Sequence, residues 1–333
     1  MGIMNTIMNN TGDAISLDRA SQLAKGMLEN IESALRGKPE VVMQTVICVL
    51  ARGHLLIEDV PGVGKTTMAR ATACSIDAYF HRVQFTSDLL PSDLTGISVP
   101  EFADGRASQR FRFQPGPLFA NVVLADEINR ANPKCQSALL EAMSEQTVSV
   151  DGTTHSLPDP YFVVATQNPI EHYGTHHLPE SQMDRFLMRI EIGYPSPEFE
   201  AEVLREDPAA NTLPGLRPVV TLDELRAMQH LASQVKFTDD LVSYLLEIVE
   251  QTRQHEALDL GVSPRGALAL RRAAQSRAMI DGRDYCIPED VRELAVCVLS
   301  HRMWASLRGG VRPGDEEPTW ILREILDRVP VPL

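Results

Sequence analysis

The sequence predicts an α/β fold in which a five-stranded parallel sheet is flanked by helices and followed by a small all-helical domain. Five short stretches, most of them rich in apolar residues and each a candidate buried strand, are separated mostly by helical stretches over the first 192 residues. Such alternation is typical of a parallel sheet covered by helices on both faces. After a stretch rich in proline, alanine and glycine at residues 207–218, the patterning is helical.

Local patterns define the elements of the first domain. An amphipathic helix is predicted over residues 17–35, with Ser16 as its N-cap and Gly37 just beyond its end. A second helix is predicted over residues 40–51. The five strands are predicted over residues 55–58, 82–85, 121–125, 161–166 and 186–192.

Two stretches interrupt this alternation with sequences typical of β-hairpins. Asp104-Gly105 precedes the alternating residues 110–113, and Asp151-Gly152 separates residues 147–150 from residues 153–157. Asp-Gly favours type I′ turns because both central residues of such a turn have positive φ. We therefore expect two antiparallel hairpins beside the main sheet.

The second domain is predicted to be helical. Its helices are expected to begin near Leu222, Asp239, Pro264, Pro288 and Pro318. Proline is tolerated in the first turn of a helix because its missing N–H has no intrahelical partner there. The predicted organisation is a flexible leader at residues 1–15, an α/β domain at 16–206, a linker at 207–220 and a helical lid domain at 221–333.

Composition narrows the class of protein. The 333 residues carry a formal net charge of −14, which disfavours diffuse binding to nucleic acid phosphates. No apolar run approaches the length that crosses a bilayer. The five cysteines are scattered and form no Cys-x-x-Cys pair, so neither a disulfide framework nor a zinc ribbon is indicated. We expect a cytoplasmic protein without a membrane span.

The segment from Pro61 to Thr67, between the first strand and the next helix, is typical of a phosphate-binding loop. Glycines let the backbone wrap around an anion, and the helix N-terminus adds partial positive charge. Lys65 is expected to reach the β- and γ-phosphates of ATP. The predicted binding residues are Gly62, Val63, Gly64, Lys65, Thr66 and Thr67. Asp59 stands where the strict pattern has glycine, and an ordinary glycine turn is the alternative.

Two carboxylates, Asp126 and Glu127, follow the apolar run 122–125. Ligands of open α/β sheets bind at the carboxyl ends of the strands. We predict that Asp126 and the Thr66 hydroxyl hold Mg²⁺ and that Glu127 polarises the attacking water. The alternative is a helix N-cap, because such residues often begin a helix.

Three further residues are candidate catalytic groups. Asn168 follows the strand at 161–166 and is expected to hold the water or contact the γ-phosphate; an Asn-Pro turn is the alternative. Arg185 is expected to act on the nucleotide of a neighbouring subunit, and pairing with Asp184 is its alternative. Arg265 lies in the first turn of a helix, where cations are disfavoured, so we expect it to contact the bound nucleotide. A solvated side chain is the alternative.

Two weaker patterns remain open. His172, His176 and His177 cluster in sequence, but no other Cys or His has supporting spacing, so solvated loop histidines are predicted in place of a metal site. The alternating arginines and phenylalanines at residues 110–113 fit a hairpin with one buried face. They also fit the lining of a pore that contacts a client protein or single-stranded nucleic acid.

Together these motifs resemble those of AAA+ P-loop NTPases and, more narrowly, of the MoxR family. The matching segments are residues 85–96, residues 178–186, and Asp126-Glu127-Ile128-Asn129-Arg130-Ala131 with its continuation to Met143. By this resemblance residues 61–67 are Walker A, and Asp126 and Glu127 are Walker B. Asn168 matches sensor 1, Arg185 the arginine finger and Arg265 sensor 2. The hairpins match the helix-2 insert and the pre-sensor-1 hairpin.

The resemblance also implies an activity and partners. It implies hydrolysis of ATP with Mg²⁺ by a homo-oligomer, a hexameric ring, that acts as a chaperone-like remodeller. It further implies a partner with a von Willebrand factor A domain and a role in the maturation or assembly of a metalloenzyme or protein complex. No residue identifies the client.

Three other functions compete with this interpretation. The ATPase subunit of a magnesium-chelatase-like complex resembles the same branch, and a nucleotide-gated scaffold with little turnover would share the site. A P-loop small-molecule kinase is disfavoured by the helical carboxyl-terminal domain and by the Asp126-Glu127 pair.

Overall fold

The computed structural model describes residues 15–103, 106–169, 176, 178–306 and 316–332, so the predicted leader lies outside it except for Ile15. The strands are β1 (Leu55–Glu58), β2 (Phe80–Gln84), β3 (Gly96–Ala103), β4 (Arg106–Pro115), β5 (Val122–Asp126), β6 (Thr147–Val150), β7 (Thr153–Ser156), β8 (Phe162–Gln167), β9 (Met188–Ile190), β10 (Leu258–Leu260) and β11 (Trp304–Ala305). The helices are α1 (Leu17–Ala34), α2 (Pro39–Leu50), α3 (Lys65–Ser75), α4 (Pro91–Thr95), α5 (Pro133–Glu145), α6 (Glu180–Met183), α7 (Pro197–Glu206), α8 (Pro208–Asn211), α9 (Leu222–Gln234), α10 (Asp239–Gln254), α11 (Pro264–Ile280), α12 (Pro288–Leu299) and α13 (Glu316–Arg328). None of these helices is long and apolar enough to cross a membrane.

Five strands form the parallel sheet that the sequence predicts, in the order β2-β5-β8-β1-β9. The strand ends agree with the predicted ends within two residues, and the last strand is the most shortened. Because all five strands run in the same direction, their carboxyl ends meet at one edge of the sheet. The loop after β1 and the carboxylates after β5 therefore lie at the same edge.

The two faces of the sheet carry separate apolar layers, because successive side chains of a strand point to opposite faces. Leu55 and Ile57 of β1 are fully buried in a cluster that includes side chains of α1, α2 and α3. Leu56, between them, is buried with Leu139 and Met143 of α5. Helices therefore cover both faces, as predicted.

The carboxyl-terminal helices dock on α1 and α2. The Ser21 hydroxyl donates to the carbonyl of Ile280 at 2.7 Å, and Gln229 Nε2 donates to the carbonyl of Val49 at 2.8 Å. This part of the chain is helical as predicted, and an antiparallel pair, β10 and β11, adds to it. The lid therefore shares a continuous apolar core with the α/β domain.

The predicted linker has structure of its own. It contains α8 and a 3₁₀ turn at Leu213–Gly215. The backbone N–H groups of Val219 and Val220 donate to the carbonyl of Ser75, at 3.0 and 3.1 Å, at the end of α3. The segment is therefore fastened to the sheet domain, and the exact domain boundaries stay a prediction.

Both predicted hairpins are confirmed as antiparallel pairs, β3 with β4 and β6 with β7. In the second hairpin Asp151 and Gly152 have φ of 50° and 77°, the positive values that the Asp-Gly turn predicts. The turn of the first hairpin, Asp104-Gly105, lies outside the described residues.

Candidate active site

The predicted phosphate-binding loop connects the carboxyl end of β1 to the start of α3. Gly62 and Gly64 have φ of 90° and 102°, which side chains other than glycine rarely adopt. A Cβ on Gly64 would also lie 2.7 Å from Leu35 Cδ1, so the Leu35 side chain would have to move. Because α3 begins at Lys65, the N–H groups of Thr66 and Thr67 belong to its first turn and are available to an anion.

Lys65 links this loop electrostatically to the neighbouring strands. Its Nζ donates to the carbonyl of Asp59 at 2.6 Å. Burial lowers the pKa of Lys65, and the carboxylates of Asp59, Asp126 and Glu127 act in the opposite direction. The lysine and the two carboxylates after β5 therefore lie within electrostatic reach of each other.

Asp59, which departs from the glycine of the strict loop pattern, has a structural role. Its buried carboxylate accepts hydrogen bonds from the backbone N–H groups of Val60 (2.7 Å), Ile192 (2.7 Å) and Gly193 (2.6 Å). Two of these donors follow β9, so the side chain ties the start of the loop to the adjacent strand. The departure therefore adds an anchor to the loop.

Asp59→Ala is expected to lower the free energy of unfolding by about 2–4 kcal/mol, because it leaves buried N–H groups without an acceptor. Urea denaturation measures this. Asp240→Ala, which removes an exposed carboxylate from the first turn of α10, is the control and is expected to cost less than about 1 kcal/mol. Equal losses for the two variants would contradict the anchoring role.

The two carboxylates after β5 are oriented by a residue of the adjacent strand. The Thr166 hydroxyl, on β8, donates to Asp126 Oδ1 at 2.6 Å and accepts from the N–H of Glu127 at 2.9 Å. Glu127 has a φ of 58°, so the chain turns sharply out of the strand at this residue. Sequence reasoning missed Thr166, although it is a polar residue near the carboxyl end of a predicted strand.

Both carboxylates also have basic or amide partners. Arg82 Nη2 lies 2.7 Å from Asp126 Oδ2, and Gln84 Nε2 donates to Glu127 Oε2 at 2.8 Å. Arg130 Nη1 lies 2.9 Å from the same oxygen of Glu127. Gln84 is the last residue of β2, whereas the predicted strand at 82–85 ends one residue later, so its position at a strand end is not visible in the sequence. Arg82 lies inside β2 and carries no strand-end signal.

Asn168 lies at the same edge of the sheet. It is buried and follows β8 directly. The register pairs Gln167 with Glu58, and the N–H of Asp59 donates to the carbonyl of Gln167 at 3.1 Å. Asn168 is therefore one residue beyond the point where β8 meets the start of the loop.

The oxygen donors at this edge fit Mg²⁺. Asp126 supplies a carboxylate and Thr66 a hydroxyl at the start of α3. Mg²⁺ prefers oxygen ligands, keeps several waters, and is usually held by one or two side chains together with substrate phosphates. Within the described residues no group of three or more His, Cys, Asp or Glu side chains forms an all-protein metal site.

The two candidate arginines lie elsewhere, in a cleft of about 670 Å³. Its lining includes residues 52–54, which precede β1, and Leu187, which precedes β9. The cleft is therefore at the amino-terminal edge of the sheet. A four-residue strand such as β1 rises about 13 Å, and this length separates the cleft from the carboxyl-terminal edge. The structure thus brings Arg265 together with Arg185 and not with Lys65.

This arginine cleft is strongly basic. Five arginines line it: Arg52, Arg185, Arg265, Arg272 and Arg302. Of these, Arg52 pairs with Asp159 at 2.5 Å. Among the described lining residues the single carboxylate is Asp184. A local positive field of this kind attracts anions even though the whole chain carries a net charge of −14.

Arg185 is oriented by the end of α5. Its Nη1 donates to the carbonyl of Leu140 at 2.6 Å and to the Ser144 hydroxyl at 3.0 Å. The carboxylate of Asp184 pairs with Arg302. Burial lowers the pKa of Arg302, the Asp184 carboxylate raises it, and the charge of Arg265 lowers it. Arg302 still carries its charge at neutral pH.

The hairpin at residues 110–113 combines a packed aromatic ring with an exposed one. Phe113 stacks on His155 of the second hairpin, with ring centroids 3.9 Å apart, and meets Phe119 edge-on at 5.3 Å. Phe111, two residues earlier on the same face, is 67% exposed. The side chain of Arg110 lies outside the described residues. Phe113, which is partly buried, therefore joins the two hairpins, and the role of Phe111 stays open.

The histidine pattern gains no structural support. His176 is exposed, and His172 and His177 lie outside the described residues. Their assignment as solvated loop residues stays a prediction.

Comparisons with known proteins agree with this geometry. Residues 54–188 match the model of the ATPase family associated with various cellular activities (AAA), and residues 250–320 match that of the AAA lid domain. The chain is 47% identical over 306 residues to the uncharacterized protein YeaC of Bacillus subtilis, covering 92% of this chain and 94% of that protein. It is 39% identical over 311 residues to the chaperone MoxR1 of Mycobacterium tuberculosis, covering 91% of this chain and 80% of MoxR1.

A solved structure shows the same fold. A Cytophaga hutchinsonii protein described as an ATPase superposes with a TM-score of 0.85 at 34% identity, covering 95% of this chain and 97% of that one. The phosphate-binding loop and the paired carboxylates lie within residues 54–188, and the lid helices α11 and α12 lie within residues 250–320. This chain is therefore an ATPase that belongs to the MoxR family of AAA+ proteins.

Proposed function

We propose that this chain hydrolyses Mg²⁺-ATP at a site shared between neighbouring subunits of a homo-oligomeric ring. The observation that carries the proposal is the separation of its functional groups between two edges of the sheet. Lys65 and the carboxylates after β5 lie at the carboxyl edge, whereas Arg185 and Arg265 line a cleft at the amino edge. A head-to-tail contact brings the arginines of one chain to the nucleotide of the next, and repetition of that contact closes a ring.

Each chain supplies the groups that hold ATP and activate water. The loop N–H groups and Lys65 bind the phosphates, and Thr66 and Asp126 hold Mg²⁺, which neutralises phosphate charge when bound. Glu127, oriented by its N–H bond to Thr166, accepts a hydrogen bond from the attacking water and polarises it. Asn168 orients the same water from the adjacent strand.

The neighbouring chain supplies positive charge. Negative charge spreads over the oxygens of the transferred phosphoryl group in the transition state, and a positioned guanidinium stabilises it. Arg185 and Arg265 project into one basic cleft, so both are placed to act on a single anion from another molecule. Sequence reasoning expected Arg265 to contact the nucleotide, and its position beside Arg185 favours the nucleotide of the neighbour.

The proposed biological role is that of a chaperone-like remodeller, because the relative MoxR1 is named a chaperone and matches 91% of this chain. A hexameric ring, a von Willebrand factor A partner, a client that is a maturing metalloenzyme or complex, and a cytoplasmic location rest on the family resemblance. A magnesium-chelatase-like subunit and a scaffold with little turnover are the alternatives. Pull-down with purified candidate partners tests the magnesium-chelatase-like alternative, and measurement of phosphate release tests the scaffold alternative.

The shared site makes turnover depend on assembly. We expect phosphate release to stop with EDTA, to return with Mg²⁺, and to rise steeply with protein concentration as rings form. Light scattering with ATP follows the assembly, and Lys65→Ala, which removes the phosphate-binding lysine, is the control. A monomer that hydrolyses ATP at the full rate would contradict the proposal.

A further inference from the structure

A buried arginine of the lid holds the backbone on both sides of Arg185. The side chain of Arg302 is 2% exposed. Its Nη1 donates to the carbonyl of Asp184 at 2.9 Å, and its Nη2 donates to the carbonyl of Phe186. Nη1 also pairs with the Asp184 carboxylate. One guanidinium therefore binds the residues immediately before and after Arg185.

The same arginine is fixed to the lid. Arg302 ends a 3₁₀ turn that follows α12, and its Nε donates to the carbonyl of Val298 at 2.8 Å. It also packs against the start of α11, where a Cβ on Gly266 would lie 3.0 Å from Arg302 Cδ. The position of Arg185 therefore depends on the lid, although Arg185 belongs to the α/β domain.

Asp184 connects the same point to the helix that carries Arg265. The Ser263 hydroxyl donates to the carboxylate of Asp184, 3.3 Å from each oxygen, and accepts from the N–H of Gly266 at 3.2 Å. Ser263 is the N-cap of α11, and Arg265 lies in the first turn of that helix. Asp184 therefore contacts both the cap of α11 and the arginine that holds Arg185.

We propose that Asp184 and Arg302 form a clamp that sets the spacing between Arg185 and Arg265, so that the two arginines act on the neighbouring nucleotide as one unit. The proposal rests on the shared site proposed above. Asp184 and Arg302 are positioning residues, because they act through the two arginines and not on the substrate.

The charges in the cleft explain why a clamp is needed. Three of the five guanidinium groups that line the cleft, those of Arg185, Arg265 and Arg302, repel each other, and Asp184 is the carboxylate among the described lining residues. Ionised hydrogen bonds are stronger and more directional than neutral ones, so the Asp184–Arg302 pair resists that repulsion. Catalysis is sensitive to displacements of about 1 Å in a positioned group.

Asp184→Asn tests the clamp, because it removes the charge and preserves the shape of the side chain. We expect an unchanged Kd for ATP and a kcat lower by roughly 10- to 100-fold. The lower kcat is expected because the variant displaces Arg185 and Arg265 slightly without removing them. Mixing with Lys65→Ala subunits, which retain intact arginines, should restore turnover. The matched control is Asp290→Asn, which alters a lid carboxylate that is 3% exposed and pairs with Arg283 at 2.7 Å.

A second pair of variants covers the case in which Asp184→Asn does not fold. Ser263→Ala removes an N-cap that contacts Asp184, and Thr238→Ala removes the N-cap of α10. The two losses cost similar stability, about 1 kcal/mol by the usual effect of a cap. We expect only Ser263→Ala to lower kcat, and Lys65→Ala subunits should restore that activity as well.

The outcomes separate the clamp from the shared site. The shared site stands if Arg185→Ala loses turnover and is rescued by Lys65→Ala subunits. The clamp is overturned, with the shared site intact, if the clamp variants then keep their kcat, match their controls or are not rescued. If Arg185→Ala keeps its turnover or is not rescued in mixed assemblies, the shared site fails and the clamp fails with it. If Arg185→Ala and the clamp variants all lose kcat and are rescued by Lys65→Ala subunits, while the control variants keep their kcat, both the clamp and the shared site are supported.

Discussion

Glu127→Gln is expected to bind ATP with the affinity of the unaltered chain and to lose about 100- to 10,000-fold in kcat, the usual contribution of a positioned general base. Glutamine keeps the size of the side chain and its ability to accept one hydrogen bond from Gln84 or Arg130. It cannot take a proton from water. The loop that binds the phosphates is untouched, so binding and turnover should separate.

Steady-state phosphate release and equilibrium binding of a fluorescent ATP analogue measure these two properties. Glu29→Gln, which makes the same chemical change at an exposed position on α1, is the control and should leave both unchanged. A Glu127→Gln variant with normal turnover would remove this residue from the mechanism. If the variant also lost affinity for ATP, Glu127 would be assigned to ATP binding instead of to the attack by water.

Arg185→Ala is expected to bind ATP normally and to lose about 1000-fold in kcat, the lower end of the range for an arginine that stabilises phosphoryl transfer. Normal binding is expected because Arg185 lies at the edge opposite to the phosphate loop of its own chain. The hydrogen bonds to Leu140 and Ser144 are lost as well, so folding must be checked. Circular dichroism and thermal unfolding serve that purpose.

Arg323→Ala is the matched control, because Arg323 is exposed on α13 and does not line the arginine cleft. It should keep its kcat. Arg265→Ala is expected to resemble Arg185→Ala, since the two side chains line one cleft. A variant at Arg265 that instead loses ATP affinity in an isolated chain would place this arginine at its own nucleotide.

The sheet and the groups at its carboxyl edge could be predicted because local sequence specifies them. A run such as residues 122–125 is apolar throughout, as a strand buried on both faces must be. The polar residues that follow it, Asp126 and Glu127, must therefore lie at the carboxyl edge of the sheet. The glycines of the loop and the Asp151-Gly152 turn are equally local, because positive φ selects the residue type. These parts agree with the structure.

The contacts between distant segments could not be predicted, because no local pattern encodes them. The position of Arg265 depends on how α9 and α11 dock against α1 and α2, which is decided by packing over the whole core. The anchoring role of Asp59 also depends on the N–H groups of Ile192 and Gly193, which lie 133 and 134 residues further along the chain. The stacking of Phe113 on His155 likewise joins two hairpins far apart in sequence.

The most direct test of the shared site is a mixture of two inactive variants. Arg185→Ala subunits keep the nucleotide loop and lack the arginine, whereas Lys65→Ala subunits lack the lysine and keep the arginine. With equal amounts and random assembly, roughly a quarter of the interfaces combine an intact loop with an intact arginine. We predict that phosphate release by the mixture rises to about that fraction of the unaltered rate. Mixed assemblies shown to form, yet with no more activity than either variant alone, would contradict the shared site.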